Sequence, residues 1–162
     1  MLTVDANILI ALTDPKDASH ALAVEILDAH EWDELATSTV TLAEVLVRPM
    51  NQGVYEGQLD AVSALGVHLI GVDGDRVRTM TELTARQRLR PPDAVVLAVA
   101  MATSSAIMTL NARLARVARR LGFPVIDRPD DEPAVPDGLG TDHAPYFRHR
   151  TTAWWEDVPP GR

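Results

Sequence analysis

Four polar side chains, spread along most of the chain, have the chemistry of a site for a hard metal ion: Asp5, Glu44, Asp93 and Asn111. Carboxylates that crowd together repel one another, and each raises the pKa of its neighbours unless a cation neutralises them. Oxygen ligands without thiolates or clustered histidines favour magnesium or manganese. If the fold gathers these side chains, the sequence therefore predicts a Mg²⁺ or Mn²⁺ site.

Each of the four residues also has a structural explanation at the start of a helix. Asp5 and Asn111 are good N-cap residues. The pattern Thr41-x-x-Glu44 matches a capping box, in which the glutamate reaches back to a backbone N–H. Asp93 follows two prolines and precedes an apolar run, where an acid complements the helix dipole. Capping explains each residue alone, whereas the set as a whole favours a metal site.

Alternating strands and helices must position these residues. Short apolar runs predict strands at 2–4, 35–38, 67–72, 106–110 and 125–126. Apolar residues at helical spacing predict helices at roughly 16–30, 41–47, 59–65, 75–89, 93–102 and 111–121. The helix that begins at Thr41 is expected to stop before Pro49, because proline lacks an N–H donor and clashes with the preceding turn.

The alternation predicts an α/β fold with a mostly parallel sheet and helices on both faces. Helix starts that follow parallel strands gather at one edge of the sheet. We therefore expect Asp5, Glu44 and Asp93 to converge there.

Composition favours one soluble domain with an extension. A chain of 162 residues with 46% hydrophobic content closes one substantial core. The absence of cysteine excludes disulfides and thiolate metal sites. The N-terminus lacks a basic leader, and no apolar run approaches the roughly 20 residues of a membrane span. We therefore expect a cytoplasmic protein with no membrane partner.

The composition changes after residue 128. Prolines, glycines and acids there interrupt both the helical and the strand periodicity of apolar residues. The sequence thus predicts a domain at 1–128 and an acidic, Pro-rich extension at 129–162. Its aromatic residues predict docking on the body or on another chain, against the alternative of an appendage without fixed contacts. These residues are Tyr146, Phe147, Trp154 and Trp155.

Clustered arginines qualify the formal net charge of −8, which by itself argues against a nucleic-acid partner. Local basic faces of this kind can meet phosphates. A solvated helix face is the alternative, and charge alone favours it. The candidate phosphate contacts are Arg86, Arg88, Arg90, Arg113 and Arg116.

Four motifs follow one another along the chain: Val4-Asp5-Ala-Asn7-Ile-Leu, Thr37-Ser38-x-x-Thr41-Leu-Ala-Glu44-Val-Leu, Leu89-x-x-x-Asp93-Ala-x-x-Leu-Ala-x-Ala and Thr109-Leu-Asn111-x-x-Leu114. Each motif alone is weak, but the ordered set with this spacing is fairly specific. In this order the motifs resemble the signatures of PIN-domain ribonucleases, above all the toxin half of VapBC-type toxin–antitoxin pairs. The resemblance covers about residues 1 to 128.

The resemblance implies a three-layer α/β/α sandwich that cleaves RNA with Mg²⁺ or Mn²⁺, forms homodimers and is inhibited by a cognate antitoxin. On this basis Asp5, Glu44 and Asp93 hold the metal directly or through water. Asn111 stands where the family often has a fourth acid, and it contributes a neutral oxygen or orients a water. Hydrogen bonds that fix carboxylates or waters are expected from three further side chains, for which turn or cap chemistry is the alternative: Asn7, Ser38 and Thr109.

Other functions of similar folds fit less well. Haloacid dehalogenase-like phosphatases have Asp-x-Asp after the first strand, where this chain has Asp5-Ala-Asn7. These phosphatases and receiver domains also use a lysine late in the fold, whereas the only lysine here is Lys16. No glycine-rich phosphate loop occurs. The remaining alternative is a PIN-like module that binds RNA or a protein with little or no cleavage, and Asn111 is the feature that favours it.

Overall fold

The computed structural model describes residues 1–30, 34–104 and 106–131. The strands are β1 (Leu2–Val4), β2 (Leu35–Ser38), β3 (His68–Ile70), β4 (Ala106–Met108) and β5 (Val125–Ile126). The helices are α1 (Ala6–Thr13), α2 (His20–Ala29), α3 (Thr39–Gln52), α4 (Tyr55–Ala64), α5 (Gly74–Gln87), α6 (Pro91–Thr103) and α7 (Ala112–Arg120).

The five strands form one parallel sheet in the order β3-β2-β1-β4-β5. The chain builds outward from β1 to β3 and then crosses to the other side of β1 to add β4 and β5. In an open parallel sheet, ligands bind beyond the carboxyl ends of the strands at such a reversal. Val4 pairs with Met108, so Asp5 and Thr109 leave neighbouring strands at the same level.

Helices cover both faces of the sheet, and the alternation of side chains along each strand divides the core in two. Leu2, Val4 and Met108 pack with residues of α1 to α4 on one face. Ile107 and Val125 pack on the other face with residues of α5 to α7. The predicted three-layer α/β/α sandwich is confirmed, and its sheet is wholly parallel in the described residues.

Helix α3 corrects two predictions. Its N-cap is Ser38, whose hydroxyl accepts a hydrogen bond from the Thr41 N–H at 2.8 Å. Thr41 therefore lies inside the first turn, and the predicted capping box of Thr41 with Glu44 is wrong. The helix also does not stop before Pro49, because one missing backbone hydrogen bond is offset by the apolar face that the helix buries. It ends at Gly53, which adopts the left-handed conformation (φ 71°) that glycine tolerates best.

Helix α1 is absent from the helices predicted by apolar spacing, because its sequence is apolar almost throughout and shows no helical period. The remaining boundaries move by a few residues. Helix α4 begins at Tyr55, ahead of Gly57, and β3 is shorter than the predicted strand at 67–72. From β5 to Asp131 the chain packs on the domain, because Arg119 forms an ion pair with Asp127 at 2.7 Å and His30 hydrogen-bonds to the Asp131 carbonyl at 2.6 Å. The docking role predicted for the aromatic residues of the extension lies outside the described residues. Within the described ranges, no helix is both long and apolar enough to cross a membrane.

Candidate active site at the carboxyl edge of the sheet

Asp5 lies at the end of β1 and is almost fully buried, with 6% of its surface exposed. It caps α1, since its Oδ1 accepts a hydrogen bond from the Ala6 N–H at 2.7 Å. Its Oδ2 accepts from the Asn7 amide at 2.7 Å and from the Thr109 hydroxyl at 2.6 Å. An ionised carboxylate offers about four acceptor positions, so three hydrogen bonds leave room for a further ligand.

Thr109 joins the ends of β1 and β4 and is fully buried. Its hydroxyl donates to Asp5 and accepts from the Asn111 N–H at 3.0 Å. Asn7 links the ends of the same two strands, because its Oδ1 accepts from the Leu110 N–H at 3.1 Å. Asn7 and Thr109 therefore both donate hydrogen bonds to the Asp5 carboxylate.

Asp93 reaches this edge from the first turn of α6, which begins with Pro91 and Pro92. Its Oδ1 accepts a hydrogen bond from the Asn111 side-chain amide at 3.0 Å. The Asn111 Oδ1 caps α7 by accepting from the backbone N–H groups of Arg113 at 3.1 Å and Leu114 at 3.2 Å. The oxygen that was expected to serve a metal or a water is thus engaged with the helix, and the amide nitrogen faces the acid.

Glu44 projects from the second turn of α3 and is exposed. Partial burial raises its pKa, and the negative charges of Asp5 and Asp93 raise it further. Burial likewise raises the pKa of Asp5, and Asp93 adds to that rise, while the Thr109 hydrogen bond opposes it. The three acids therefore act on one another at one edge of the sheet.

Two arginines moderate this negative charge. Burial raises the pKa of Asp93, whereas the charges of Arg113 and Arg90 and the Asn111 hydrogen bond lower it. Arg86, Arg88 and Arg116 are exposed, with Arg86 in the last turn of α5 and Arg116 on α7. Of the five candidate arginines, Arg113 at the start of α7 and Arg90 before α6 are therefore the two whose charges act on Asp93.

A divalent cation fits the chemistry of this edge, with one restriction on how it would be held. The donors are hard oxygens. Burial raises the pKa values of all three acids, and negative neighbours add to the rise at Asp5 and Glu44. A bound cation would offset both effects. In the part of the chain that the structure describes, however, no three His, Asp or Glu side chains lie close enough to hold a metal ion on their own. A cation would therefore need water among its ligands.

Two features of the site differ from what the motifs suggest. Ser38, a candidate support for the carboxylates, forms a hydrogen bond with Thr41 through their hydroxyl groups at 2.7 Å and caps α3. Arg88 takes up the left-handed conformation (φ 57°), which non-glycine residues seldom adopt, and its carbonyl accepts a hydrogen bond from the Arg113 guanidinium. The spacing of arginines along the chain does not predict this contact between Arg113 and the Arg88 carbonyl.

Comparison with known proteins agrees with the fold. Residues 2–120 match the model of the PIN domain. The VapC20 toxin of Mycobacterium tuberculosis, which cleaves the sarcin-ricin loop, is similar with 21% sequence identity and a TM-score of 0.64 over 79% of this chain and 99% of that one. A chain of a toxin–antitoxin complex from Klebsiella pneumoniae is similar with 25% identity and a TM-score of 0.64 over 82% of this chain and 100% of that one. No curated protein sequence matches the chain.

Proposed function

This chain belongs to the PIN domain family, and on that premise we propose that it is a metal-dependent ribonuclease, the toxin of a toxin–antitoxin pair. The observation that supports the proposal is the chain of hydrogen bonds that links Asp5 to Asp93 through Thr109 and Asn111. Glu44 lies near enough to both acids for their charges to raise its pKa. Such an edge is where an open parallel sheet presents its chemistry.

The proposed roles follow from the contacts of each side chain. Asp5 and Asp93, together with Glu44, would hold Mg²⁺ or Mn²⁺ directly or through water. When bound, the cation would supply positive charge to the scissile phosphate and favour ionisation of the attacking water near neutral pH. Asn7 and Thr109 keep the Asp5 carboxylate in place, and Asn111 does the same for Asp93.

The substrate and partners come to this chain by similarity. One structural neighbour is a toxin that cleaves the sarcin-ricin loop, and another comes from a toxin–antitoxin complex. We accordingly propose RNA as the substrate class and a cognate antitoxin as a protein partner. The homodimer is proposed from the resemblance of the motifs alone, and the cytoplasm is proposed from the composition. Exposed arginines beside the acids would offset their repulsion of the RNA backbone.

Cleavage of RNA by the purified protein tests this function directly. We expect products from a mixed-sequence RNA in the presence of Mg²⁺ or Mn²⁺, none after chelation with EDTA, and recovery when excess Mn²⁺ is restored. Gel analysis of end-labelled RNA measures all three conditions. Cleavage that persists undiminished in EDTA would contradict the metal-dependent mechanism.

Metal binding should also appear as a pH-dependent gain in thermal stability. The acids must be ionised to hold a cation, and the pKa values of Asp5, Glu44 and Asp93 are all raised. We therefore expect Mg²⁺ to raise the Tm by a larger amount at neutral pH than at an acidic pH just above the ordinary pKa values of carboxyl groups. Differential scanning fluorimetry with and without Mg²⁺ measures this difference. An equal gain at both pH values would place the ion elsewhere.

A PIN-like module that binds RNA or protein without cutting is the second candidate. Two observations favour it: Asn111 replaces a possible fourth acid, and the described residues contain no group of three ligands close enough to hold a metal by themselves. RNA binding that is strong in EDTA, together with no cleavage in Mg²⁺ or Mn²⁺, would decide in favour of this candidate.

A further inference from the structure

The turn between α5 and α6 places Asp93, and it is built from an unusual backbone conformation. Arg88 ends α5 in the left-handed region (φ 57°), where its N–H donates to the Leu83 carbonyl. The reversal at Arg88 directs Leu89 into the core, with 2% of its surface exposed, and lets Arg90 cap α6. A non-glycine residue in this conformation needs support from its surroundings.

Helix α7 supplies that support at two points. The Arg113 guanidinium donates to the Arg88 carbonyl, and the Asn111 amide donates to Asp93 Oδ1. Because Asn111 also caps α7 through the Arg113 N–H, both contacts come from one rigid helix start. The turn is therefore held at its beginning and, five residues later, at the acid that it presents.

The arginines near the acid differ in what occupies their side chains. Arg113 is engaged with a backbone carbonyl and lowers the pKa of Asp93 by its charge. Arg88 and Arg90 belong to the turn itself. All three arginines are exposed, but among them only the Arg113 guanidinium forms a hydrogen bond within the described residues. A guanidinium that already binds a carbonyl is less available to a phosphate than one that faces solvent.

We propose that Arg113 is a positioning residue of the proposed nuclease site, whose contact with the Arg88 carbonyl holds the turn so that Arg88 and Arg90 bind the RNA phosphates beside Asp93. This inference rests on the proposed function and refines it. It divides the three arginines around Asp93 into two that bind RNA, Arg88 and Arg90, and one that positions them, Arg113. The planar guanidinium of Arg113 carries several N–H donors, so it can bind a carbonyl while it remains beside a carboxylate.

The test measures binding of a fluorescent single-stranded RNA in EDTA over a range of salt concentrations. Each phosphate contact contributes about 0.7 to the slope of log affinity against log salt for single strands. We expect Arg113→Gln to lower the slope by about 1.4, the loss of two contacts. Adding Arg113→Gln to the Arg88→Gln/Arg90→Gln protein should cause no further decrease, because the contacts that it arranges are already gone.

One variant serves as a control. Arg78→Gln removes the same charge from an exposed position of α5 and should leave the slope unchanged. Circular dichroism confirms that each variant is folded.

The outcomes separate the inference from the function on which it rests. If Arg113→Gln lowers the slope by only about 0.7, and by the same amount when it is added to the Arg88→Gln/Arg90→Gln protein, Arg113 touches a phosphate itself. The inference is then overturned while the function stands. If the wild-type protein neither binds nor cleaves RNA, the proposed function fails and the inference falls with it.

Discussion

Asp93→Asn should abolish metal-dependent RNA cleavage and leave the fold intact. The substitution removes one charge with little change of shape, and the new amide oxygen can still accept the hydrogen bond from Asn111. Asp93 would act through the cation that it helps to hold, and one preorganised group that stabilises charge in the transition state is typically worth on the order of 10²- to 10³-fold in rate. Initial rates of RNA cleavage at saturating Mg²⁺, with circular dichroism as the check on folding, measure the effect.

The same substitution should change thermal stability with a definite sign. The pKa of Asp93 is raised in the folded chain, so its ionisation favours unfolding. The stability of the wild-type protein in EDTA should therefore decline, relative to Asp93→Asn, as the pH rises from the ordinary aspartate range through the raised pKa. The measured quantity is the difference in stability between the two proteins at each pH. It is needed because Arg119 lowers the pKa of Asp127, so ionisation of Asp127 stabilises the fold as the pH rises and opposes the effect of Asp93.

A matched control guards both measurements. Asp60→Asn removes the same charge from an exposed position of α4 on the opposite side of the sheet from α6. It should retain wild-type cleavage. A fully active Asp93→Asn protein would remove Asp93 from the site and, with it, the main argument for a metal at this edge.

Hydrophobic pattern was sufficient to predict the layers and the sheet, since buried parallel strands are short apolar runs and their helices carry one apolar stripe. It failed where two local signals competed at α3. Ser38 and Thr41 are both suitable caps three residues apart, and the end of β2 decides between them. Pro49 also misled, because its local penalty is smaller than the burial that continues through the helix.

The candidate residues that meet at the carboxyl edge of the sheet could be named from their motifs, but the direction of each side chain could not. Thr109 meets Asp5 only because β4 pairs with β1 in a register that joins residues a hundred positions apart in the chain. Asn111 is suited both to a helix cap and to a metal ligand, and the approach of Asp93 determines which of its atoms faces the acid. Such choices depend on contacts between distant segments, which spacing along the chain does not contain.

Thr109→Val should lower both stability and activity, since it keeps the shape of the side chain and removes the hydroxyl that joins Asp5 to Asn111. A buried acceptor and a backbone N–H would lose their partner, which costs about 1–3 kcal/mol of unfolding free energy. Because the Thr109 hydrogen bond lowers the pKa of Asp5, its loss should raise that pKa further. Cleavage should fall roughly 10- to 100-fold, and the acid limb of its pH profile should move to higher pH.

Thr3→Val is the control that separates the effect of Thr109→Val on stability from its effect on activity. Thr3 is also fully buried, on β1, and its hydroxyl pairs with Ser104 Oγ at 2.7 Å on the face of the sheet away from α1. The control should lose stability by a similar amount, because it too breaks one buried hydroxyl contact, and should keep wild-type cleavage and pH profile at temperatures below its Tm. Urea denaturation gives the stabilities, and cleavage rates from pH 5 to 9 give the profiles. If both variants lose activity equally with an unchanged pH profile, Thr109 serves only the fold, and the hydrogen bond to Asp5 has no part in the chemistry.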